Sequence, residues 1–339
     1  MMRLRDVRKS DLPELSRLAR VLDTVNLPAN ERALVELVDH SARSFSGRLK
    51  DPLHRLYVFV LEDVRHQRLV GTSQIIAMHG THEAPHVFLD LFEREHYSVS
   101  LDRLFRHQVM RIGYNYEGHT EIGGLVVDPS LRGVDKPGKQ LSFVRFLFMA
   151  MHRRWFRERV LAELLPPLLP DGRSVLWEAF GARFTGLTYQ EADKLSRTSK
   201  EFIKELFPQG EVYLDLLGPA VKDVVGHVGP ATEGVRRMLE AIGFRYDQRI
   251  DPFDGGPHFS AATGDIAPVK SYRRSRLAAE RLTGDAETFL VAVEGNRARP
   301  FQAVKTPCRF TRDEVRLPGW ALELLGAAEG DRVHAIPFA

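Results

Sequence analysis

The run LVVDPSLRGVDKPGKQLSFVRFLFM, residues 125–149, constrains the fold more than any other stretch of the chain. An apolar strand stops at Asp128-Pro129, where proline removes a ladder donor. A loop rich in glycine and basic residues follows, and a helix with a thick apolar face begins near Gly138. Exposed backbone N–H groups in such a loop, together with the helix N-terminus, form an anion site. Arg132, Lys136 and Lys139 add charge suited to phosphates, among the glycines Gly133 and Gly138. The loop is not a Walker A, because no G-K-[ST] follows four residues after a glycine, and it is not G-x-G-x-x-G. On these residues alone a phosphate site and an ordinary connecting loop are both open.

Around this segment strands and helices alternate. MRLRDVRKSDLPELSRLARVL switches from alternating apolar residues to helical spacing at Leu12, Leu15, Leu18 and Leu22, with Ser10 or Asp11 as cap. NERALVELVDHSARSFSG reads as a second helix, and LYVFVLEDVRHQRLVGTSQIIAMHG as two strands joined by a polar turn. Thr81 to Tyr116 is rich in histidine and irregular in pattern. RVLAELLPP predicts a buried strand, SVLWEAFGARF a helix capped by Ser174, and YQEADKLSRTSKEFIKELF another helix. RYDQRIDPFDGGPHFSA reads as strand, turn, strand. Past about residue 268 short strands with glycine turns take over. The pattern predicts a mixed domain over residues 1–265 and a small, mostly β domain over residues 270–339.

Several classes are excluded. With 48 Lys and Arg against 45 Asp and Glu, the net charge is only +3, and the densest basic stretch, MHRRWFRERV, fits a solvated helix face rather than a nucleic-acid surface. No apolar run approaches the roughly 18 residues of a membrane span. The start of the chain lacks an apolar leader. The single cysteine, Cys308, builds neither a disulfide framework nor a cysteine-rich zinc site. The expectation is a cytoplasmic protein with small-molecule partners, without nucleic acid or membrane.

The order strand–helix, hairpin ending LVGTSQI, strand, basic glycine loop, helix resembles the GNAT acyltransferases, whose loop and helix N-terminus hold the pyrophosphate of an acyl-CoA. VGTSQI, TEIGGLVVDPSLRG, LSFVRFLFMA, LWEAFGARFTGLTYQEADKLS, KEFIKELFP, GFRYDQRIDPFDGGP and GAAEGDRVHAIP further resemble the arginine N-succinyltransferase family, in the family's order and over nearly the whole chain. The resemblance implies an α+β, GNAT-like acyl-CoA N-acyltransferase fold with a small C-terminal β-barrel-like domain. It also implies transfer of a succinyl group from succinyl-CoA, a co-substrate rather than a bound cofactor, to the α-amino group of L-arginine. Leu125 matches the strand position that contacts succinyl-CoA, and Val127 lies on the same strand. The loop Arg132–Ser142 is one residue longer than the family spacing, which displaces the phosphate contacts. Association into a homo-oligomer, or with a paralogous subunit, follows by analogy.

Transfer requires a base for the α-ammonium, donors for the oxyanion and a proton for the thiolate, and no metal. Glu121, in HTEIGG, matches a family glutamate at a common place for a GNAT base; a salt bridge at the strand entry is the plainer alternative. A guanidinium acceptor calls for carboxylates, and Asp193 and Asp254 lie in family-like motifs, with a helix-surface charge and a turn aspartate as alternatives. Arg111, Lys139 and Arg145 are candidates for the succinyl carboxylate. One departure stands out. The family reads approximately G-Q-V-H-P where this chain has Gly226, His227, Val228, Gly229 and Pro230. The family's catalytic histidine falls on Gly229, which cannot donate. If the segment is extended, His227 points the same way from about 7 Å off, and it is a candidate catalytic residue beside a structural role. A different amine acceptor such as ornithine, or a non-catalytic subunit, are the competing readings.

Overall fold

The computed structural model describes residues 1–22, 30–82, 84–131, 135–196, 199–295 and 300–338. The chain opens with β1 (Met2–Asp6), α1 (Leu12–Leu22) and α2 (Glu31–Phe45), then the antiparallel pair β2 (Leu56–Asp63) and β3 (Arg68–Ile76). A long hairpin, β4 (His86–Ser98) and β5 (Arg103–Asn115), precedes β6 (Thr120–Val127), α3 (Pro137–Met151) and β7 (Arg159–Glu163). A helical stretch holds α4 (Ala182–Thr185), α5 (Tyr189–Ser196) and α6 (Glu201–Leu206). Next come β8 (Val212–Tyr213), α7 (Pro219–Val224), α8 (Glu233–Ala241) and the pair β9 (Arg245–Ile250) and β10 (Pro257–Ala262). The last elements are α9 (Ala267–Lys270), β11 (Arg273–Leu277), β12 (Glu287–Glu294), β13 (Phe301–Phe310), β14 (Glu314–Arg316), α10 (Gly319–Leu325) and β15 (Arg332–Pro337).

These elements form two compact units. The first comprises Met1–Met78, Thr120–Glu158 and Ala262–Ala339; the second comprises His79–His119 and Arg159–Ala261. In the first, the order β13-β1-β2-β3-β6 continues into a closed barrel. There β12 pairs with β13 and β15, β15 with β11, β11 with β14 and β14 with β13. Closure leaves no barrel edge to pair with another chain. Helix α3 is buried from Gln140 to Met149 and packs against β2, β3 and β6 and also against α9, β12 and β15. That double contact explains why LSFVRFLFM is apolar nearly all round, the mark of an internal helix. The α+β, GNAT-like core and the C-terminal strand barrel are thus both present.

The units divide the chain differently from the boundary expected near 265–270. Barrel strand β13 pairs directly with β1, Leu4 opposite Ala303 and Arg5 opposite Gln302, so residues past 270 belong to the same unit as the first strand.

In the second unit the strand order is β7-β10-β9-β4-β5-β8. Leu89, Leu91, Met110 and Ile112 of the hairpin pack with Trp177, Phe180, Ile203 and Phe207 from the helical stretch. Residues 81–116, expected to be irregular, form a hairpin in register from His86–Asn115 to Ser98–Arg103. The outer part of β4 is exposed on both faces, so no inward-pointing alternation marks it. The single helix expected over 189–207 is two helices, α5 and α6.

Candidate functional site

Strand β6 and the start of α3 carry the residues that the sequence assigned to acyl-CoA. Glu121 stands opposite Ile76 and Gly123 opposite Gln74, but Val126 stands opposite Thr72. One extra residue at Gly124–Leu125 therefore bulges β6, which bends a strand and frees backbone groups from the ladder. Gly124 sits at φ +55°, where a β-carbon would approach the side chain of Gln74 to 2.7 Å. Thr72 Oγ1 donates to Gly124 O at 3.1 Å and Arg145 Nη1 to Gly123 O at 3.3 Å, holding the bulge from two sides. Glu121, Gly123, Leu125 and Val127 alternate as partly exposed positions between buried ones, so the candidate base and the candidate acyl-CoA contacts share the open positions of one strand.

Beyond the strand, Asp128 accepts from Ser130 N and Oγ at 3.0 and 2.7 Å and from Arg17 at 3.0 Å. Arg132 and Gly133 lie outside the described residues. Asp135 and Lys136 both have left-handed backbones, φ 60° and 54°, costly conformations for side-chain-bearing residues. They deliver the chain into α3, whose N-terminus has no side-chain cap among the described residues and carries Pro137 in its first turn. Among the described residues, a β-carbon placed on Gly138 meets only Val127 Cγ2, at 3.8 Å. Lys139 lies over the rings of Phe143 and Phe338; burial first, then Lys136, lowers its ammonium pKa. Of the cations considered for the succinyl carboxylate, Arg145 is 2% exposed and already donates to Ser142 O, Ser142 Oγ and Gly123 O; burial pulls it down to about 9. Arg111 instead lines a cavity of about 550 Å³ in the second unit, with Asp90, His119, Arg159, Asp247 and Arg249.

The second unit also gathers the carboxylates that the sequence offered for an acceptor. In the β9–β10 turn, Asp251 Oδ1 accepts from Phe253 N (2.7 Å) and Asp254 N (3.1 Å), and Asp254 Oδ1 accepts from Gly256 N (2.7 Å). Burial, then the charge of Glu163, pushes Asp251 up to about 6. Burial, then the neighbouring Asp251, Glu163 and Asp193, raise Asp254 well above the usual carboxylate range. The hydroxyl of Tyr189 is raised by burial and then by Asp254, Asp251 and Asp193. The two predicted carboxylates are therefore electrostatic neighbours, joined by Asp251 and Tyr189, which the sequence reading missed. The signal was present: D-P-F-D sets a second aspartate three residues before Asp254.

Where the sequence departs from the motif it resembles, residues 227–229 belong to no strand. α7 ends at Val224, Gly226 turns at φ +73°, and His227 N donates to Val224 O at 3.1 Å. The His227 ring is held through Nδ1, 3.1 Å from Val225 O. Gly229 is buried and donates to Leu165 O at 2.8 Å. A β-carbon on Gly229 would stand 2.6 Å from Pro166 O. Tyr246, its hydroxyl pushed up to about 12 by burial, packs against Gly226.

Comparison with known proteins bears on this geometry. A family model described as arginine N-succinyltransferase beta subunit matches residues 2–268. The arginine N-succinyltransferase of Yersinia pseudotuberculosis is 32% identical over 344 residues, covering 99% of this chain and 97% of that protein. That of Escherichia coli is 32% identical over 343 residues, with the same coverage. Among solved structures, arginine/ornithine succinyltransferase subunit AI from Pseudomonas aeruginosa superposes with a TM-score of 0.85 at 28% identity, covering 99% of this chain and 98% of that one.

Proposed function

Because this chain belongs to the arginine N-succinyltransferase family, we propose that it transfers the succinyl group of succinyl-CoA to the α-amino group of L-arginine by direct attack. The β6 bulge running into the uncapped start of α3 carries this reading. Backbone groups freed around Leu125 bind the extended pantetheine arm, with Val127 farther along the same strand. The pyrophosphate takes the N-terminus of α3 with Lys136, Gly138 and Lys139, and Arg132 and Gly133 belong to the same loop in sequence. Glu121 is the base that removes the α-ammonium proton, a task worth about 10²–10⁴ in rate. The nitrogen attacks the thioester carbonyl, the C–N bond forms as the C–S bond breaks, and the thiolate leaves to be protonated. His227 is the second candidate for proton transfer, its Nδ1 3.1 Å from Val225 O.

Asp193 and Asp254 recognise the side-chain cation of the acceptor. Their convergence with Asp251 creates a negative field that a guanidinium relieves. The same field suits an ammonium, and the Pseudomonas relative's arginine/ornithine title supports ornithine as a second acceptor. The relatives' description as subunits supports association with a like chain. No described helix is long and apolar enough to cross a membrane, and the reaction belongs in the cytoplasm with its acyl-CoA donor.

Thiol release from succinyl-CoA, measured with and without L-arginine, tests the reading. Release that depends on arginine is expected. No stimulation by arginine or ornithine would leave a non-catalytic subunit instead.

A further inference from the structure

Outside the residues assigned to transfer, the second unit holds a cluster of imidazoles around one carboxylate. His79 precedes β4, His86 opens it, Glu163 ends β7 and His258 lies on β10. One ligand-capable atom from each of His79, His86 and Glu163 lies within 4.8 Å of the other two. Glu163 Oε1 is 3.0 Å from His86 Nε2 and 3.5 Å from His258 Nε2. The His79 and His86 rings meet edge to face at 4.4 Å, and those of His86 and His258 stack at 5.3 Å. His258 is 1% exposed, and neither of its ring nitrogens has a hydrogen-bond partner among the described residues.

A buried imidazole with neither nitrogen hydrogen-bonded is costly, because the 3.5 Å approach of Nε2 to Glu163 only partly replaces lost hydration. A carboxylate ringed by imidazoles also asks for a cation. Ligands about 2.05 Å from a tetrahedral zinc ion stand about 3.3 Å apart; Glu163 and His86 already stand 3.0 Å apart, and His79 has to close from within 4.8 Å. Nitrogen and carboxylate donors together suit zinc rather than magnesium or calcium, which prefer oxygen alone. His79 also lines a cavity of about 420 Å³ with Tyr116, Ser196 and Lys200, which opens a path for an ion.

We propose that His79, His86 and Glu163 bind a divalent ion of the zinc class, with His258 bordering its fourth position. His86 ligates through Nε2 with its proton on Nδ1, so its present contact to Glu163 gives way to a shared metal. The ion ties the segment before β4 and the start of β4 to the end of β7, a structural role.

The test uses the full chain, freed of metal by chelator dialysis and titrated with cobalt(II) as a spectroscopic stand-in for zinc. One equivalent is expected to develop the intense visible bands of a tetrahedral site, to be displaced by zinc, and zinc is expected to raise the thermal midpoint. H79Q, at a partly exposed position, and E163Q are each expected to weaken zinc binding tenfold or more, while H107A, in the surface pair with His96, leaves it unchanged. Cobalt that keeps its hydrated-ion spectrum, parental affinity in both H79Q and E163Q, or loss of binding in H107A would overturn the proposal.

Discussion

Replacing Gly229 tests whether the chain has room for a side chain at the position where the sequence resemblance puts a histidine. A β-carbon there stands 2.6 Å from Pro166 O, 2.9 Å from Pro166 C and 3.1 Å from Leu165 O. All three are backbone atoms, so a side-chain rotation cannot relieve the contact. The segment must move away from residues 165–166, which overpacks the site at about 1–3 kcal/mol. The same movement stretches the 2.8 Å bond from Gly229 N to Leu165 O, worth about 1 kcal/mol. Gly229→Ala should therefore cost about 2–4 kcal/mol, which lowers the melting midpoint by roughly 5–15 °C for a unit of this size. Gly264, with an ordinary backbone and nothing within 4 Å of a β-carbon, is the control. Gly264→Ala should stay within about 0.5 kcal/mol of the parent. Calorimetry and urea titration read both. Gly229→His should lose at least as much stability as the alanine variant and gain no turnover, because the imidazole has nowhere to enter. A Gly229→Ala protein as stable as its parent, or a Gly229→His protein with faster arginine-dependent thiol release, would refute the packing account.

Gly124→Ala must hold a β-carbon at φ +55° against Gln74, at a cost of about 1–3 kcal/mol. It should raise the KM for succinyl-CoA, and Gln74→Ala should recover part of the loss; an unchanged KM counts against the bulge as the acyl-CoA contact. Glu121→Gln should lower kcat by about 10²–10⁴ with little change in KM, whereas equal loss in both would mark a binding residue. Asp251 is raised to about 6 from an ordinary 3.8, so its protonated form stabilises the fold. That stability is present below 3.8 and is lost as pH rises through about 6; Asp251→Asn should flatten this dependence in urea titrations at pH 4 and pH 8. Arginine affinity should move the other way: below about pH 6 the neutral carboxyl attracts the guanidinium less, so calorimetric Kd falls as pH rises. A pH-independent Kd would separate Asp251 from the acceptor site.

What could be read from the sequence was local. The stop at Asp128-Pro129, the glycine-rich basic loop and the apolar helix after it are cues that act within a few residues, and β6 and α3 form where those cues lie. Asp193 and Asp254 were legible as candidates because their motifs are short and contiguous. Tertiary structure decided matters that depend on residues far apart in the chain. Barrel closure rests on β13 pairing with β12 and β14, and β1 joins it across nearly the whole chain. No local period encodes those partners. The β4–β5 hairpin escaped notice because its outer half has no buried face to impose alternation. The bulge at Gly124–Leu125 is a mismatch of register with β3, visible only when both strands are paired. His79, His86, Glu163 and His258 are unremarkable one at a time, and folding alone brings them within reach of one another. Gly229 shows the same division: the sequence reveals that the imidazole is absent, but the contact with Pro166 O, sixty-odd residues earlier, determines that the space for it is gone as well.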